Sequence, residues 1–560
     1  MNLLDEAWIP VRRKNGTQDW IAPCQIGEPD IVALDARRAD FNGALVQFLI
    51  GLVQTTTPMN SHAEWQQWYD EPPSVETLKD WFAPVESAFI FDGDGVRFMQ
   101  DFSLRTTGVK DKSFKDIGTL FIESPGEKTL DDNNDHFIKR GFVTGLCRHC
   151  AATALFTLHT NAPSGGAGQN TSIRGGGPLT TLIVATPVRS LWHTVWLNVR
   201  DQASFLGSGG DANKTEPHFV FPWLADMHTI QAEGGKTASI QVHPAHVFWG
   251  MPRRIHLDLE NTVIGLCDTC GRESPSLLIR YVTKPKGFDY KGGWNHPLAP
   301  YYEAKDPKTK QYDWLPVHPQ PGGIGYKDWL GLVLGVTDPK KRRRQGSQVS
   351  YVLDSRRLKG QFRLWAFGYD IYNSMKARCW YESTFPLYSL AERNKEGRKL
   401  VQSGVAKWID AADHAAFLLR SAVRSAWFSE CAEVKGDWGF IDAAFWSRTE
   451  PAFFRLLGEL VEQAQSESDE EMSARLQQPN SQWRTELINV AVKLFDAELV
   501  GAAPIERQNP RRVAEAHNRL HNSLYGDKLK EMLGLPVEKS SKPAKKSAKA
   551  SGMNYKENIA

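Results

Sequence analysis

The sequence predicts an α+β protein in which a large, irregular mixed domain is followed by a helical bundle. Two stretches of different texture indicate this architecture. Residues 1–390 mix short β-like runs with Gly/Pro turns and many tryptophans, whereas residues 391–535 carry apolar side chains at helical spacing. Residues 536–560 are rich in Lys and Ser and contain almost nothing apolar to bury, which predicts a disordered tail.

The mixed domain is predicted from its strand-like segments. The runs TTLIVAT (180–186), HTVWLNV (193–199) and VSYVLD (349–354) are rich in β-branched and aromatic residues, and Gly and Pro punctuate the chain around them. At 560 residues the chain is too long for a single hydrophobic core, so more than one domain is expected.

The bundle is predicted from four amphipathic segments joined by polar connections. In each segment, apolar residues recur at intervals of three and four, which places them on one face of a helix. The four stripes are Ala415, Leu418, Leu419, Ala422 and Ala426; Phe453, Leu456, Leu457, Leu460 and Val461; Trp483, Leu487, Val490, Ala491 and Leu494; and Val513, Ala516, Leu520 and Leu524. Together they favour an antiparallel four-helix bundle over residues 391–535.

Composition and charge argue against a secreted protein, a membrane protein and a protein that is basic throughout. The chain has 67 Lys and Arg against 65 Asp and Glu, a net charge of +2, so any nucleic-acid role requires local basic surfaces. The N-terminus MNLLDEAWIPVRRKNG lacks the apolar run of a signal peptide, and the longest apolar stretch, residues 43–53, is too short to span a bilayer. We therefore expect a cytoplasmic protein without a membrane partner.

Four of the seven cysteines form two C-x-x-C pairs, Cys147/Cys150 and Cys267/Cys270. Two such pairs supply the four thiolates of a tetrahedral zinc site, although the 116 residues between them are unusual for a small zinc ribbon. The site would join distant segments of one domain. Because four cysteines leave no open coordination position, the predicted zinc is structural; the alternative is four core cysteines without metal.

Catalytic signatures are weak. His62-Ala-Glu64 followed by a C-x-x-C pair resembles a zinc-deaminase pattern, but the proline before the first Cys is missing and the gap is too long. No phosphate-binding G-x-x-x-x-G-K-[ST] sequence occurs, and His149 inside the first pair is interpreted as a bystander. We expect a protein that is not an enzyme, with a zinc-dependent nuclease or deaminase as the alternative.

Several segments occur in an order that resembles one known family. They are MNLLDEAWIPVR, GLCRHCAATALF, NAPSGGAG, SIRGGGPLTT, GLCDTCGRES, HPLAPY (296–301) and GYDIYNSMKARCWYES (368–383). Over residues 1–530 the chain resembles CasA, the large subunit of the type I-E CRISPR surveillance complex Cascade. The resemblance implies a non-catalytic subunit in antiviral defence that recognises the PAM of double-stranded target DNA, helps to open the duplex for R-loop formation and recruits the CRISPR helicase–nuclease. Its implied partners are crRNA and the backbone, small-subunit-dimer and crRNA-end-binding subunits.

The resemblance also implies how the PAM is read. A glycine loop would lie against the minor groove, which is only about 6 Å wide and admits a bare backbone more easily than bulky side chains. This loop comprises Ser164, Gly165, Gly166, Ala167 and Gly168. Ser164 and Ala167 stand where glycine is common in relatives, and the alternative interpretation is a plain surface turn.

Two further DNA contacts follow from the same resemblance. A lysine after the second cysteine pair would enter the minor groove; the spacing favours Lys286, and Lys284 stays open. Asn373 stands at the position of a strand-separating wedge, with Lys376 one helical turn onward. Asparagine is shorter than the glutamine common there, so Tyr372 could share this role.

The remaining candidates concern RNA and phosphate. By resemblance, Phe137 would stack on a crRNA nucleotide while Lys139 and Arg140 contact phosphate, the alternative being an ordinary buried phenylalanine. The basic run Lys340, Lys341, Arg342, Arg343 and Arg344 suggests DNA phosphate contacts or a merely solvated loop. Gly175–Gly177 are interpreted as a turn before a strand, with Arg174 beside them as a weaker candidate for a phosphate contact.

Overall fold

The structure is a computed structural model that describes residues 1–104, 106–135, 139–166, 168–336, 343–347, 360–373, 375–388, 395–430, 435–464, 476–503 and 509–537. The chain divides into two compact units, of which the first comprises residues 1–406 and 435–472 and the second residues 407–434 and 473–560. Apart from residues 536 and 537, the predicted tail lies outside the described ranges, as does the strand-like run 349–354.

Helices occur in both units. The described α-helices are α1 (Ala39–Thr56), α2 (His62–Asp70), α3 (Val75–Phe82), α4 (Glu127–Asp131), α5 (Arg148–Asn161), α6 (Leu191–Trp196), α7 (Gln202–Leu206), α8 (Pro217–Val220), α9 (Tyr326–Val333), α10 (Lys395–Trp427), α11 (Gly439–Gln463), α12 (Gln477–Lys493), α13 (Pro510–Tyr525) and α14 (Asp527–Met532). A π-helical turn, Leu494–Leu499, continues α12. Short 3-10 segments such as Pro244–Phe248 connect elements of the first unit.

The strands form small antiparallel sheets in the first unit. They are β1 (Ile9–Arg13), β2 (Gln18–Ile21), β3 (Ile31–Leu34), β4 (Phe114–Asp116), β5 (Thr180–Thr186), β6 (Arg254–Leu257), β7 (Thr262–Leu266), β8 (Glu273–Leu278), β9 (Arg280–Lys284), β10 (Tyr301–Lys305), β11 (Tyr312–Pro316), β12 (Arg344–Gln345), β13 (Gln361–Tyr372) and β14 (Lys376–Leu387). The described sheet orders are β2–β1–β3, β4–β9–β6, β14–β13–β5, β11–β10–β12 and β7–β8.

Helix α1 is the core element of the first unit, and it contains the apolar stretch 43–53. The Phe48 ring lies at its centre, edge to face with five aromatic rings at centroid distances of 5.3–6.0 Å; these belong to Trp8, Phe89, Phe98, Phe156 and Trp249. Gly43 lets β13 and β14 approach, because a Cβ there would lie 2.8 Å from Trp380 and 2.9 Å from Phe367. None of the helices in the described ranges combines the length and apolar character that a membrane crossing requires.

The second unit is held by interlocked indole and amide groups. The Trp408 Nε1 donates to Asn480 Oδ1 (2.6 Å), and the Trp483 Nε1 donates to the Trp408 carbonyl (3.0 Å). Asn480 Nδ2 in turn donates to the Leu533 carbonyl (2.7 Å). Since both indoles are fully buried, these bonds satisfy polar groups that would otherwise be costly in the core.

The predicted α+β class with a C-terminal helical region is confirmed, and each predicted amphipathic stripe lies on a described helix. Helix α11 belongs to the first unit, whereas α12, α13 and α14 belong to the second. The limits of the bundle at residues 391 and 535 stay a prediction.

The interpretation of residues 193–199 as a strand was wrong, because most of this run belongs to α6 and the turn after it. Leu191, Trp192, Val195 and Trp196 are all buried, at helical spacing. In a run of seven residues, periodicity is too short to separate a buried strand from a buried helix.

Candidate metal centre and nucleic-acid interface

The four cysteines of the two C-x-x-C pairs meet in one cluster. Cys147 is the N-cap of α5 and Cys150 lies in its first turn, whereas Cys267 and Cys270 lie in the turn between β7 and β8. All four Sγ atoms lie within 4.8 Å of one another, and those of Cys147 and Cys270 are 3.8 Å apart. Tetrahedral Zn–S bonds of about 2.3 Å require S–S separations of roughly 3.8 Å, so the cluster fits zinc.

Backbone bonds hold the two pairs in register. In the second turn, the Gly271 amide donates to the Cys267 carbonyl (2.8 Å), and Gly271 has a φ of +72°, which glycine adopts without steric cost. The Asp268 carboxylate accepts from the amides of Thr144 (2.7 Å) and Gly145 (2.9 Å), just before the first pair. The segments on either side of the long insertion are therefore joined by protein bonds as well as by the thiols.

The electrostatics of the cluster favour a bound cation. Hydrogen bonds from the Cys147 and Cys150 thiols lower the pKa of Cys270 to about 6. Conversely, hydrogen bonds to Cys147, Cys267 and Cys270, together with burial, raise the pKa of Cys150. Four thiolates cannot coexist at these distances without a compensating positive charge, which Zn²⁺ supplies when bound.

The His149 imidazole is engaged by a neighbouring arginine and not by the cysteine cluster. Its Nδ1 accepts a hydrogen bond from the Arg272 guanidinium, which also stacks on the Trp20 ring at 3.7 Å. Burial and the Arg272 charge lower the pKa of His149 to about 4, so the imidazole is neutral at physiological pH. Within the described residues, the candidate metal cluster consists of the four cysteines and does not include His149.

The deaminase-like His62-Ala-Glu64 has a different structural explanation. Ser61 caps α2, and the Glu64 carboxylate reaches back to accept from the amides of Asn60 (2.7 Å) and Ser61 (3.2 Å). This arrangement is a capping box, in which the acid satisfies free amides at a helix start. Glu64 is thus committed to the helix, and it is not among the residues of the candidate metal cluster.

The glycine loop, residues 164–168, closes on itself after α5. The Gly165 amide donates to the Gln169 carbonyl (3.1 Å), and the Gln169 amide donates to the Gly166 carbonyl (2.8 Å). Gly166 and Gly168 have φ values of +59° and +81°, and a Cβ at Gly166 would have no atom within 4 Å. The loop therefore presents exposed backbone to solvent, which is the geometry a close approach to a ligand requires.

Two positions of this loop carry Ser and Ala in place of the glycine that is common in relatives. Ser164 is half-buried at the start of the loop, and Ala167 lies outside the described residues. Neither position carries a side chain large enough to block access to the neighbouring glycine backbone.

A buried arginine, Arg253, binds the residues on either side of the glycine loop. Arg253 Nη1 donates to the Gln169 side-chain oxygen (2.7 Å), and Nη2 donates to the Pro163 carbonyl. Arg253 is 7% exposed, and this burial lowers its pKa to about 10, so it remains charged at neutral pH. Sequence analysis did not single out Arg253, because nothing in its local sequence, MPRR, separates a supporting arginine from a solvated one.

Lys286 lies directly against the glycine loop. Its amide donates to the Gly168 carbonyl (2.7 Å), and a Cβ at Gly168 would lie 3.1 Å from Lys286 Cγ. Lys286 itself has a φ of +64°, and its side chain is exposed. Lys284 instead ends β9, where it pairs with Arg254 of β6. Of the two predicted lysines, the structure brings Lys286 to the loop.

The second glycine run is packed against neighbouring elements. Gly177 has a φ of +61°, and a Cβ there would lie 2.6 Å from the Tyr369 carbonyl. Arg174 is 2% exposed, and its guanidinium donates to Thr180 Oγ1 (3.0 Å) and Gln47 Oε1 (2.5 Å). The expectation of a phosphate contact at Arg174 was wrong, because these buried bonds hold it in the core.

The candidate wedge lies at the end of a long β-hairpin, so the expectation of a helical turn between Asn373 and Lys376 was wrong: Lys376 begins β14. Strands β13 and β14, with 12 residues each, meet at a tip formed by residues 372–376, of which 374 lies outside the described residues. Tyr372 and Met375 are 51% and 52% exposed, and Asn373 has a φ of +49°. Asparagine tolerates this left-handed conformation better than most residues. Met375 was missed from the sequence, where a lone methionine in a turn carries no signal.

The candidate crRNA segment is partly described. Phe137 lies outside the described residues. Arg140 forms an ion pair with Asp135 (2.5 Å), while Lys139 Nζ lies 5.9 Å from the centroid of the Phe142 ring, which is 66% exposed. Lys139, Arg140 and Phe142 line a cavity of about 800 Å³. Sequence reasoning missed Phe142, the exposed ring beside a cation in this segment.

Only two residues of the basic run 340–344 lie within the described ranges. Lys340, Lys341 and Arg342 lie outside the described residues. Arg343 pairs with Glu303 (3.0 Å), and Arg344 lies in β12 opposite Tyr302.

The fold and the cluster define a class of protein. It is a large α+β protein in which a closed four-cysteine centre joins segments far apart in the chain and an exposed glycine loop follows a helix that starts at that centre. The family model for CRISPR-associated protein Cse1 matches residues 2–494, and the chain belongs to this family. The resemblance found in the sequence is thereby confirmed.

Solved structures share the fold at low sequence identity. CasA from Thermus thermophilus is 13% identical, with a TM-score of 0.65 over 94% of this chain and 99% of that one. Cse1 from Thermobifida fusca is 13% identical, with a TM-score of 0.65 over 96% and 99% of the two chains. A chain of a CRISPR RNA-guided surveillance complex is 14% identical, with a TM-score of 0.64 over 94% and 99%.

The cysteine cluster generates a prediction about metal and stability. We expect the purified wild-type chain to contain one zinc ion, and Cys267→Ser to lose it. Because structural zinc contributes strongly to folding, the variant should lose at least about 3 kcal/mol of unfolding free energy, which lowers the melting temperature of a unit of this size by at least roughly 3 °C. Metal analysis and thermal unfolding monitored by circular dichroism measure both effects.

Cys379→Ser is the matched control, because Cys379 is exposed and is not part of the cluster. It should retain the zinc and the wild-type melting temperature. A wild-type chain free of metal, or a Cys267→Ser chain with its zinc intact, would contradict the assignment.

Proposed function

We propose that this chain is the large subunit of a type I-E Cascade complex and that it recognises the PAM of double-stranded DNA through the minor groove. Membership of the Cse1 family and the likeness to a chain of a surveillance complex support the assembly. The observation that carries PAM recognition is the contact between Lys286 and Gly168, which puts an exposed cation beside a side-chain-free backbone. A narrow groove lined by phosphates attracts the cation and has room for the bare backbone.

The chemistry of recognition is steric and electrostatic. The glycine backbone can approach base edges that bulky side chains cannot reach, and the minor-groove pattern is nearly degenerate, so the loop would exclude unsuitable base pairs more than it selects one. Lys286 would add a charge-assisted contact and raise the affinity at low salt. Arg253 holds the loop in place and would act as a positioning residue.

Duplex opening would follow at the hairpin tip. Side chains that enter a base stack cost a few kcal/mol per unstacked step, which guide–target pairing must then recover because R-loop exchange is nearly balanced. Tyr372, Asn373 and Met375 are the exposed candidates at the tip, with Lys376 beside them for phosphate.

The proposed assembly places further contacts on this chain. The cavity lined by Lys139, Arg140 and Phe142 would receive crRNA, because an exposed ring and two cations suit a nucleotide. A CRISPR helicase–nuclease recruited to the complex would cut the target, and this chain would cut nothing itself. The closed four-cysteine site supports that division, since it offers no open coordination position for a reacting water; the same observation argues against a zinc-dependent nuclease or deaminase.

A substitution in the glycine loop tests PAM recognition. Gly166→Asp adds a carboxylate where a Cβ has free space, and Asp tolerates the left-handed backbone, so the fold should survive. Assembled with crRNA and the other Cascade subunits, the variant should lose at least about 100-fold in affinity for PAM-bearing duplex, because like charges repel at close contact. Gel-shift selection from a duplex library randomised beside the target measures both affinity and preference.

Gly108→Asp provides the matched control. Gly108 also has a positive φ (+76°) and free space around its Cβ position, but it lies in another loop. An assembled Gly166→Asp complex with wild-type PAM preference would remove the glycine loop from the site.

The two candidate lysines can be separated by salt dependence. Lys286→Ala should weaken PAM-duplex binding and reduce the slope of log K against log[salt] by about 0.9, as expected for one lost phosphate contact. Lys284→Ala, at the end of β9, should change the slope less. Binding isotherms of the assembled complex at several salt concentrations decide between them, and a larger effect at Lys284 would reverse the assignment.

The wedge assignment is tested with Asn373→Gly. Glycine keeps the left-handed backbone at this position and removes the side chain. If the asparagine amide supports opening, 2-aminopurine fluorescence beside the PAM should rise several-fold more slowly, while PAM-duplex affinity stays unchanged. An unchanged opening rate in Asn373→Gly together with a slower rate in Met375→Ala would transfer the role to the apolar side chain.

A further inference from the structure

One sheet outside the candidate site carries exposed aromatic rings next to cations. In the β11–β10–β12 sheet, Lys305 lies opposite Tyr312 and Glu303 lies opposite Trp314. The Glu303 amide donates to the Arg343 carbonyl (2.9 Å), so Arg343 flanks the same level of the sheet. Because directly opposed residues project to the same side, these five residues share one face, which we call the aromatic face.

The aromatic face is exposed at its outer end, around Lys305 and Tyr312, and becomes buried toward Tyr301. On the opposite side, Arg344 packs against α9, where a Cβ at Gly331 would lie 2.9 Å from Arg344 Cδ. On the aromatic face, Tyr312 is 64% exposed, Lys305 is exposed and Trp314 is half-buried. A single exposed ring is ordinary on a protein surface, whereas this face carries two neighbouring rings, each with a cation beside it.

Charge on the aromatic face is favourable for phosphate. Lys305 Nζ lies 5.5 Å from the Tyr312 ring centroid, and the Arg343 guanidinium lies 5.5 Å from that of Trp314. The Glu303 carboxylate is neutralised by its ion pair with Arg343 (3.0 Å). Asp313 belongs to the opposite face, because it pairs with Ala304. Because Arg343 and Glu303 neutralise each other, Lys305 supplies the net positive charge of the five residues on this face.

We propose that the aromatic face binds single-stranded nucleic acid by stacking bases on Tyr312 and Trp314. The two rings are two residues apart on β11, hence about 6.7 Å apart along the strand, and an exposed sheet with rings in this relation can stack successive bases. Stacking needs free base faces, which a duplex conceals, so the ligand is an unpaired strand. The inference goes beyond PAM recognition, because it concerns another surface and another form of nucleic acid.

Fluorescence anisotropy with the purified full chain tests this binding. The probes are labelled oligothymidylate and oligouridylate of about 16 nucleotides and a duplex of the same length. We expect the single strands to bind more tightly than the duplex, and Tyr312→Ala to weaken single-strand binding by about 5- to 100-fold. Tyr312→Phe should restore most of the affinity, because stacking requires the ring and not the hydroxyl. Tighter binding of one single-stranded probe identifies DNA or RNA as the preferred strand.

Two further variants complete the test. Lys305→Ala should reduce the salt slope of single-strand binding by about 0.7. Phe440→Ala removes a 50% exposed ring elsewhere in the chain and should leave binding unchanged. Equal affinity of Tyr312→Ala and wild type for both single strands, or a wild-type chain that binds neither, overturns the proposal. PAM-duplex binding by the assembled Tyr312→Ala complex should stay at the wild-type level, so failure here is distinguishable from failure of PAM recognition.

Discussion

The cluster of Cys147, Cys150, Cys267 and Cys270 is the constraint on which the candidate interface depends. Two chain segments leave this cluster in the same unit. One is α5, whose 14 residues extend about 21 Å from the first cysteine pair to the glycine loop. The other runs from the second pair through β8 and β9 to Lys286. The segments meet again where the Lys286 amide binds the Gly168 carbonyl, so the thiols close a frame that aligns the loop with its lysine.

The Arg253 guanidinium adds a second constraint on the glycine loop. A buried guanidinium is costly unless its donors are satisfied, and here two of them bind the residues on either side of the loop, at the Gln169 side chain and the Pro163 carbonyl. The loop can therefore present glycine backbone without collapsing onto the protein surface. Loss of the guanidinium would leave loop acceptors unpaired, and the entropy of the freed glycines would oppose the ordered conformation.

The parts of this arrangement that the sequence predicted are those with local patterns. Cysteine spacing predicted the cluster, and apolar spacing predicted the helices, because each pattern depends on nearby residues. The choice between Lys284 and Lys286 depends on where β9 ends, and the role of Arg253 depends on a contact across 84 residues with Gln169. Arg174 was misread for the same reason, since only tertiary packing reveals that Gln47 and Thr180 bind its guanidinium.

The glycine loop and the hairpin tip are also linked through a common sheet. After the loop, Gly177 packs on the Tyr369 carbonyl so closely that any side chain would clash, and β5 then pairs with β13 along seven residues. Tyr369 donates to Oδ2 of the buried Asp40 carboxylate (2.7 Å), to which Arg38 also donates (2.9 Å). Burial and the Asp40 charge raise the pKa of Tyr369, so this hydroxyl stays a donor. The base of the hairpin is fixed in this way, and the register of the hairpin changes only beyond it, at the bulge between Asp370 and Ile371. In the function proposed above, this shared support would keep the glycine loop and the hairpin tip in a fixed relation while the duplex opens beside the PAM.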